Sequence, residues 1–335
     1  MPVLQDSAVP TSYCLVYLRN GACSIRSLAE DETFHPVIGP VAEAEALYVK
    51  QLQLCERLKN HAGEFVIWDV GLGAAANALT VLRATREIAG TIRLVSFDCT
   101  IEPLEFALQH AAALGYFGGY ENHLQTFLRN RRVAFPNGAQ SVIWEFHLGD
   151  FPTWLAQTVA AGILSAVEPG VPPGGKIVGN AARAENSSAS PGGRMPPSTA
   201  GGTPAATPPP HAILFDAFSP AKNPAMWTLP LFTNLFRVLD PKRPCALPTY
   251  SRSTILRVTL LLAGFHVGVG HATGEKEETT IAANTPELLT EPLDHRWLER
   301  ARRSHSAEPM VEAVYRIAPL TAETWERLRQ HPQFR

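Results

Sequence analysis

Phe65-Val-Ile-Trp-Asp-Val-Gly-Leu-Gly-Ala-Ala-Ala-Asn-Ala-Leu79 is the stretch on which the reading of this chain turns. A short apolar run ends in Asp69, passes Gly71 and Gly73 and enters an Ala-rich segment of good helix propensity, so strand, tight turn and helix follow without a gap. The glycines let the backbone turn sharply and approach a ligand closely, while the free N–H groups of the helix start point at whatever binds there. The stretch predicts a nucleotide-cradling βα unit in a doubly wound, mostly parallel α/β sheet.

Two ligands compete for that loop. Gly71, Gly73 and Ala76 fit the Gly-x-Gly-x-x-Gly/Ala dinucleotide fingerprint, and Asp98 follows at the spacing of roughly 20 residues expected of a ribose-binding carboxylate. Asp69 tilts the choice, because an acid two residues before the first glycine would stand near a pyrophosphate, an unfavourable pairing. In an S-adenosylmethionine site the same acid could help hold the cationic methionine end, directly or through water. The pattern Asp-x-Gly-x-Gly resembles the first motif of class I methyltransferases. An ordinary Gly-containing βα turn is the third reading.

The chain has 335 residues, 45% of them hydrophobic, enough for one large α/β domain or two small ones. Its net charge of -2 excludes a generally basic nucleic-acid binder, so any RNA contact must use a local patch. Cys14, Cys23, Cys55, Cys99 and Cys245 are scattered without a Cys-x-x-Cys pair, which suggests neither a disulfide framework nor a zinc site, and no metal is expected. The N-terminus lacks a basic segment followed by an apolar core, and no stretch approaches the roughly 18 apolar residues of a membrane span. A soluble, cytoplasmic protein with no membrane partner is expected.

Residues 1–12 read as a loose terminus. Residues 13–18 and 22–27 flank Asn20-Gly21, a strong two-residue hairpin signal. A loop stiffened by Pro36 and Pro40 leads to a helix over 41–58, with Glu43 and Glu45 near its start. Those acids suit the helix dipole, or one of them closes the cofactor or substrate site. A second strand over 91–98 ends in Asp98, placed to accept hydrogen bonds from ribose hydroxyls. Arg129, Arg131 and Arg132 form either a solvated face or a phosphate contact. A third strand over 141–148 is followed by Asp150, which reads equally as an adenine contact or as a helix N-cap. Residues 169–210, rich in Pro, Gly, Ser and Ala, hold almost nothing to bury and read as a flexible insert. After it come a strand over 212–216, a helix to Arg237, a strand near 245–250, a helix over 253–263 stopped by Gly264, and a hairpin of 265–269 with 279–283. The last segment, 294–335, is polar and helical and carries Arg296, Arg300, Arg302 and Arg303.

The most specific signal is Asp216-Ala-Phe-Ser-Pro-Ala-Lys-Asn-Pro-Ala-Met-Trp227. It closely resembles the Asp-x-Phe-x-Pro-x-Lys-Asn-Pro-x-Met-Trp signature of the methyltransferase half of the bifunctional tRNA 5-methylaminomethyl-2-thiouridine biosynthesis family, MnmC. Agreement extends to Asp69-Val-Gly-Leu-Gly with Asn77, to Gly149-Asp150, to Thr249-Tyr250-Ser251 before a helix ending Ala263-Gly264-Phe265, and to Gly274-Glu275-Lys276-Glu277. Glu45 falls where that family has an acid on its N-terminal helix. The likeness covers residues 20–285 without the insert. The chain departs from the family at Gly73-Ala74-Ala75, where the family tends to Gly-Thr-Gly, and at Pro248, which interrupts the expected fifth strand.

The resemblance implies a class I methyltransferase that uses S-adenosylmethionine to methylate the primary amine of an aminomethyl group on the wobble uridine of tRNA. It implies catalytic roles for Asp216, Pro220, Lys222 and Asn223, and cofactor binding by Asp69, Gly71, Gly73, Asn77, Asp98 and Asp150. It places Glu45, Phe218, Trp227 and Lys276 on the substrate, although Phe218 and Trp227 read equally as packing residues. Well-known members carry a second, FAD-dependent domain for which this chain is too short, so a separate enzyme is expected to supply the aminomethyl precursor, or the substrate differs. The expected organisation is an N-terminal hairpin and helix over 1–60, a methyltransferase domain over 61–285 interrupted by the 169–210 insert, and a helical tail over 286–335. The alternatives are a methyltransferase for a small-molecule or protein amine, a NAD-dependent oxidoreductase, and a non-catalytic binder of S-adenosylmethionine or RNA.

Overall fold

A computed structural model describes residues 12–166, 207–274 and 277–335, the side chains of 163–166 excepted. Three strands, β1 (Tyr13–Tyr17), β2 (Cys23–Ser27) and β3 (Glu32–Thr33), make a small antiparallel sheet. Its first turn forms where Asn20-Gly21 predicts it: Gly21 has φ 82°, and the Asn20 side chain accepts the Ala22 N–H at 3.1 Å.

The main sheet is built from β4 (Glu64–Val70), β5 (Gly90–Asp98), β6 (Arg132–Asn137), β7 (Gln140–Leu148), β8 (Ala212–Phe215), β9 (Ala246–Thr249), β10 (His266–Gly270) and β11 (Thr279–Ala283). Their order is β10-β11-β9-β8-β4-β5-β7-β6, so β4 lies centrally between β8 and β5, parallel to both. Successive β4 side chains enter opposite cores, as a period of two requires. Phe65 and Ile67 join one layer, while Val66, Trp68 and Val70 join the other. Helices α1 (Pro40–Ala44), α2 (Leu54–Lys59), α3 (Ala76–Thr85), α4 (Glu102–Gln109), α5 (Ala111–Leu114) and α6 (Glu121–Asn130) contribute to the first layer. Helices α7 (Phe151–Ala166), α8 (Leu229–Val238), α9 (Thr254–Ala263), α10 (His295–Arg302) and α11 (Ala322–Arg329) contribute to the second. This is a doubly wound α/β architecture, with the expected β10–β11 hairpin at one edge.

Several local expectations are corrected. The helix over 41–58 is broken: α1 passes into a wider i→i+5 turn at Glu45–Lys50, and Gln53 adopts a left-handed conformation (φ 50°) before α2. Strand β6 was not anticipated; Asn137 and Gln140 pair across Gly138 to fold it antiparallel onto β7, and Pro136 is tolerated there because β6 is an edge. Pro248 also sits inside a strand, where β9 pairs with β8 only at Ala246, so the missing N–H costs no ladder bond on that side. The stretch from 294 on holds two short α-helices and a 3-10 turn at Pro332–Phe334, and Trp297, Leu298, Met310, Leu328 and Phe334 are buried in the second core. Most of the 169–210 insert lies outside the described residues, as do residues 1–11. Its last residues are packed: the Trp68 indole donates to the Pro208 carbonyl at 3.1 Å, and Arg243 donates to that of Pro209. Among the described residues, no helix is long and apolar enough to cross a membrane.

Candidate active site

The C-terminal ends of β4, β5 and β8 open into a cavity of about 370 Å³, roofed by the loop from Phe34 to Val37. Its floor is the glycine loop. Gly71 has φ 92°, and a Cβ there would stand 2.6 Å from the backbone oxygen of Asp216; only glycine lets the end of β8 come so close to the loop. Gly73 (φ 50°) faces the Phe34 ring, and its N–H donates to Asp98 Oδ2 at 2.9 Å. The other oxygen of Asp98 accepts the Thr100 N–H at 3.3 Å. Burial raises the Asp98 carboxyl above its ordinary range, while those N–H groups pull the other way.

Asp69 does not line the cavity. It lies beneath the loop, 1% exposed, and accepts the Ser96 hydroxyl at 2.7 Å; Ser96 in turn accepts the Trp144 indole N–H at 2.9 Å. Burial pushes its pKa up to about 7, against the lowering effect of Ser96, and its Oδ1 is buried without a hydrogen-bond partner. Direct contact of Asp69 with a cofactor is thus corrected to a place one layer further in.

Asp216 follows β8 and is held from several sides. Its N–H donates to Val70 O at 2.9 Å; the carbonyl before it, on Phe215, accepts the Tyr48 hydroxyl at 3.2 Å, and the carbonyl after it, on Ala217, accepts the Tyr250 hydroxyl at 3.2 Å. Asn77 donates to Asp216 Oδ2 at 2.8 Å, so Asn77, expected on the cofactor, holds the acid instead while also lining the cavity. His35 Nε2 lies 3.5 Å from the same oxygen, and His35 Nδ1 lies 3.6 Å from Glu43 Oε1. Burial lowers the His35 pKa, but Asp216 and Glu43 together outweigh it and raise the imidazole to about 8.

His35 was missed in the sequence, where Thr33-Phe34-His35-Pro36 reads only as a stiff loop. The acid of the N-terminal helix that reaches the cavity is Glu43. Glu45 is half exposed and pairs with Lys50 at 3.2 Å, outside the lining.

The other expected residues divide. Phe218 lines the cavity edge-on to Phe34, their centroids 5.5 Å apart, and Asn223 lines it as well. Trp227 is buried behind the wall, where its indole donates to Phe218 O at 2.7 Å; it supports Phe218 and does not face the cavity. Pro220 and the exposed Lys222 are absent from the lining. The Ser219 carbonyl accepts the N–H groups of Lys222 and Asn223 at 2.9 and 2.8 Å, closing a tight turn. Asp150 caps α7, accepting the Thr153 N–H at 2.9 Å, and it also lines the cavity. Lys276 lies outside the described residues. Of the arginine run, Arg132 pairs with Glu145 at 3.2 Å, Arg131 sits over the Phe146 ring, and Arg129 donates to Gln125 O at 3.2 Å.

Residues 206–285 match the family model described as S-adenosyl-L-methionine-dependent methyltransferase. A stretch of 100 residues, 30% of this chain, is 34% identical to the tRNA 5-methylaminomethyl-2-thiouridine biosynthesis bifunctional protein MnmC of Methylibium petroleiphilum. A stretch of 64 residues, 18% of this chain, is 44% identical to the MnmC of Ectopseudomonas mendocina. These matches span 15% and 9% of the relatives' own lengths. The crystal structure of MNMC2 from Aquifex aeolicus shares the fold, with a TM-score of 0.58 at 19% identity over 96% of this chain and 84% of that one. Family segment, shared stretches and fold agree: this chain contains an MnmC-like, S-adenosyl-L-methionine-dependent methyltransferase domain.

Proposed function

We propose that this protein methylates a primary amine, and that the amine is the aminomethyl group on the wobble uridine of tRNA. The single observation behind this reading is the fixing of Asp216. Its own N–H, the carbonyls on either side of it and its carboxylate all have partners, so the acid stands preorganised at the cavity. A carboxylate so held accepts hydrogen bonds from an amine and aims its nitrogen.

The cavity suits S-adenosylmethionine. Its volume of about 370 Å³ falls in the range of small-molecule sites. Asp98 is held by the Gly73 and Thr100 N–H groups and by Cys99, and its carboxylate lines the cavity where vicinal ribose hydroxyls would meet it. The N–H groups of the Gly71–Gly73 loop and Asp150 complete the residues that would hold the cofactor, with Asp69 acting from below. When bound, S-adenosylmethionine supplies an electrophilic methyl group on a sulfonium. Phe34 and Phe218 are the aromatic surfaces a flipped base would meet, and Asn223 the amide at their side. Pro220 and Lys222 shape the loop that carries Asn223, and for Lys276 a contact with substrate rests on the family resemblance alone.

tRNA as substrate is supported by the names of the relatives and by the Asp216–Trp227 signature. On this reading the protein acts in the cytoplasm, where its tRNA substrate is found, on an aminomethyl group made by a separate activity. A small-molecule amine is the second reading, favoured by the net charge of -2. Transfer of labelled methyl from S-adenosylmethionine to bulk tRNA from cells lacking this protein, followed by nucleoside analysis, separates the two. Label in a 5-methylaminomethyl uridine is expected; cofactor binding with no labelled tRNA would move the search to small amines.

A further inference from the structure

We propose that His35, held between Asp216 and Glu43, accepts the proton that the substrate ammonium must shed before its nitrogen can be methylated. This rests on the amine-methylation reading above. An alkyl ammonium has no lone pair, and Asp216 alone favours that charged form, so carboxylate positioning leaves the proton unaccounted for. His35 lines the same cavity, and its Nε2 lies 3.5 Å from Oδ2 of the Asp216 carboxylate that would hold the amine. In the step assigned here one N–H bond of the ammonium breaks and its electron pair stays on nitrogen. The proton forms a bond to neutral Nε2, and the resulting imidazolium lies between two carboxylates. The freed lone pair then takes the methyl carbon as the carbon–sulfur bond breaks towards sulfur.

The surroundings suit a base. Glu43 meets the other ring nitrogen at 3.6 Å, so the ring gains a proton with an acid at each edge. The side chains of His35 and Glu43 are only 8% and 9% exposed, which keeps bulk water from competing. The imidazole's rise to about 8 brings it towards the basicity of an alkylamine, as efficient proton transfer requires. The other titratable groups facing this knot are Tyr48 from the i→i+5 turn, Tyr250 beyond β9, Asp69 from β4 and Glu32 from β3. Burial holds both phenols well above their ordinary values, so they stay neutral, whereas Asp69 titrates near 7 and must be told apart from His35.

His35, Glu43 and Asp216 also form a possible cation triad, with ligand atoms within 4.8 Å of one another. The two carboxylates meet different ring nitrogens, however, which suits an imidazolium better than an ion bound at one nitrogen.

The test combines histidine-resolved NMR titration with the pH dependence of methyl transfer, using His35→Asn, Glu43→Gln and the unmodified protein. The imidazole of the unmodified protein is expected to titrate near 8, and that of Glu43→Gln lower. His35→Asn should lose on the order of 100-fold in kcat, the lower end for general-base catalysis, with unchanged affinity for S-adenosylmethionine. The rate of the unmodified protein should rise with pH as the imidazole loses its proton; Glu43→Gln should move that rise in step with the NMR value. Should His35→Asn fail to fold, Glu43→Gln carries the test. An unmodified rate and profile in His35→Asn, or an imidazole indifferent to Glu43, overturns the assignment. So does activity lost to a chelator and restored by zinc. If the unmodified protein methylates no amine, the proposed function falls and this role with it; if it does so regardless of His35, this role alone falls.

Discussion

Replacing Gly71 by alanine tests whether the glycine loop and the Asp216 loop work as one unit. The added Cβ would stand 2.6 Å from Asp216 O, 3.0 Å from its carbonyl carbon and 3.4 Å from Ala217 N, all backbone atoms. Non-bonded heavy atoms rest near ~3.5 Å, so the Asp216 backbone must retreat. It is pinned by the bond from its N–H to Val70 O at 2.9 Å, so retreat strains or breaks that bond. The left-handed φ of 92° costs an alanine about 1–2 kcal/mol, and overpacking about 1–3 kcal/mol more. A loss of about 2–5 kcal/mol is expected, a large share of a typical domain stability of about 5–15 kcal/mol. Gly73→Ala is the internal control: φ is 50°, but the nearest neighbour is the Phe34 ring at 3.4 Å, which can turn away, so about 1–2 kcal/mol is expected. Urea unfolding gives both costs, and calorimetry with S-adenosylmethionine followed by methyl transfer gives the functional effect. If Gly71→Ala proved no less stable than Gly73→Ala and transferred methyl normally, the coupling of the two loops would be refuted.

Asp98→Ala should weaken S-adenosylmethionine binding by about 2–3 kcal/mol, roughly 30- to 150-fold in Kd, because two hydroxyl partners are lost; an unchanged calorimetric Kd would remove the ribose assignment. Asp69→Asn should change the pH dependence of stability. The folded pKa of about 7 exceeds that of an unfolded Asp, so the native state binds more protons than the unfolded one as pH climbs from about 4 to 7, and stability falls over that window. The amide removes that fall, so melting at pH 8 should be higher than in the unmodified protein by up to about 4 kcal/mol, with no such gain at pH 4; parallel curves would contradict the buried-acid account. Glu45→Ala should leave turnover unchanged and stability within about 0.5 kcal/mol, since it removes only an exposed pair with Lys50; a large loss of turnover would return Glu45 to the site.

What could be read from the sequence was the part governed by local rules. Phe65 to Leu79 carries strand period, glycine turn and helix propensity in one uninterrupted run, and it became β4, the loop and α3. Asn20-Gly21 marked its hairpin by the same logic. Asn137-Gly138 offers a similar signal before β7, but Pro136 in the run ahead of it argues against a strand, and β6 forms only because it lies at the sheet edge. The site divided along the same line. Asp98 and Asp216 end strands of a parallel sheet, where topology alone puts ligands. Glu43, His35 and Asn77 act through contacts whose sequence separations no local pattern encodes: Asn77 reaches Asp216 across 139 residues, and His35 reaches it from a loop before the first helix.

Even the choice between Glu43 and Glu45 shows this. Two positions on a helix differ by about 200° in direction, so one acid of the pair had to face inward, and only the packing of α1 against α3 decides which. His35 is the sharper case, because a histidine before a proline has no periodicity to betray it. Its left-handed φ of 48° turns the ring back under the roof of the cavity, between two acids that the sequence keeps 173 residues apart. That turn brings three titratable groups together at the cavity, and their meeting is the reason to look for function in His35 rather than for packing alone.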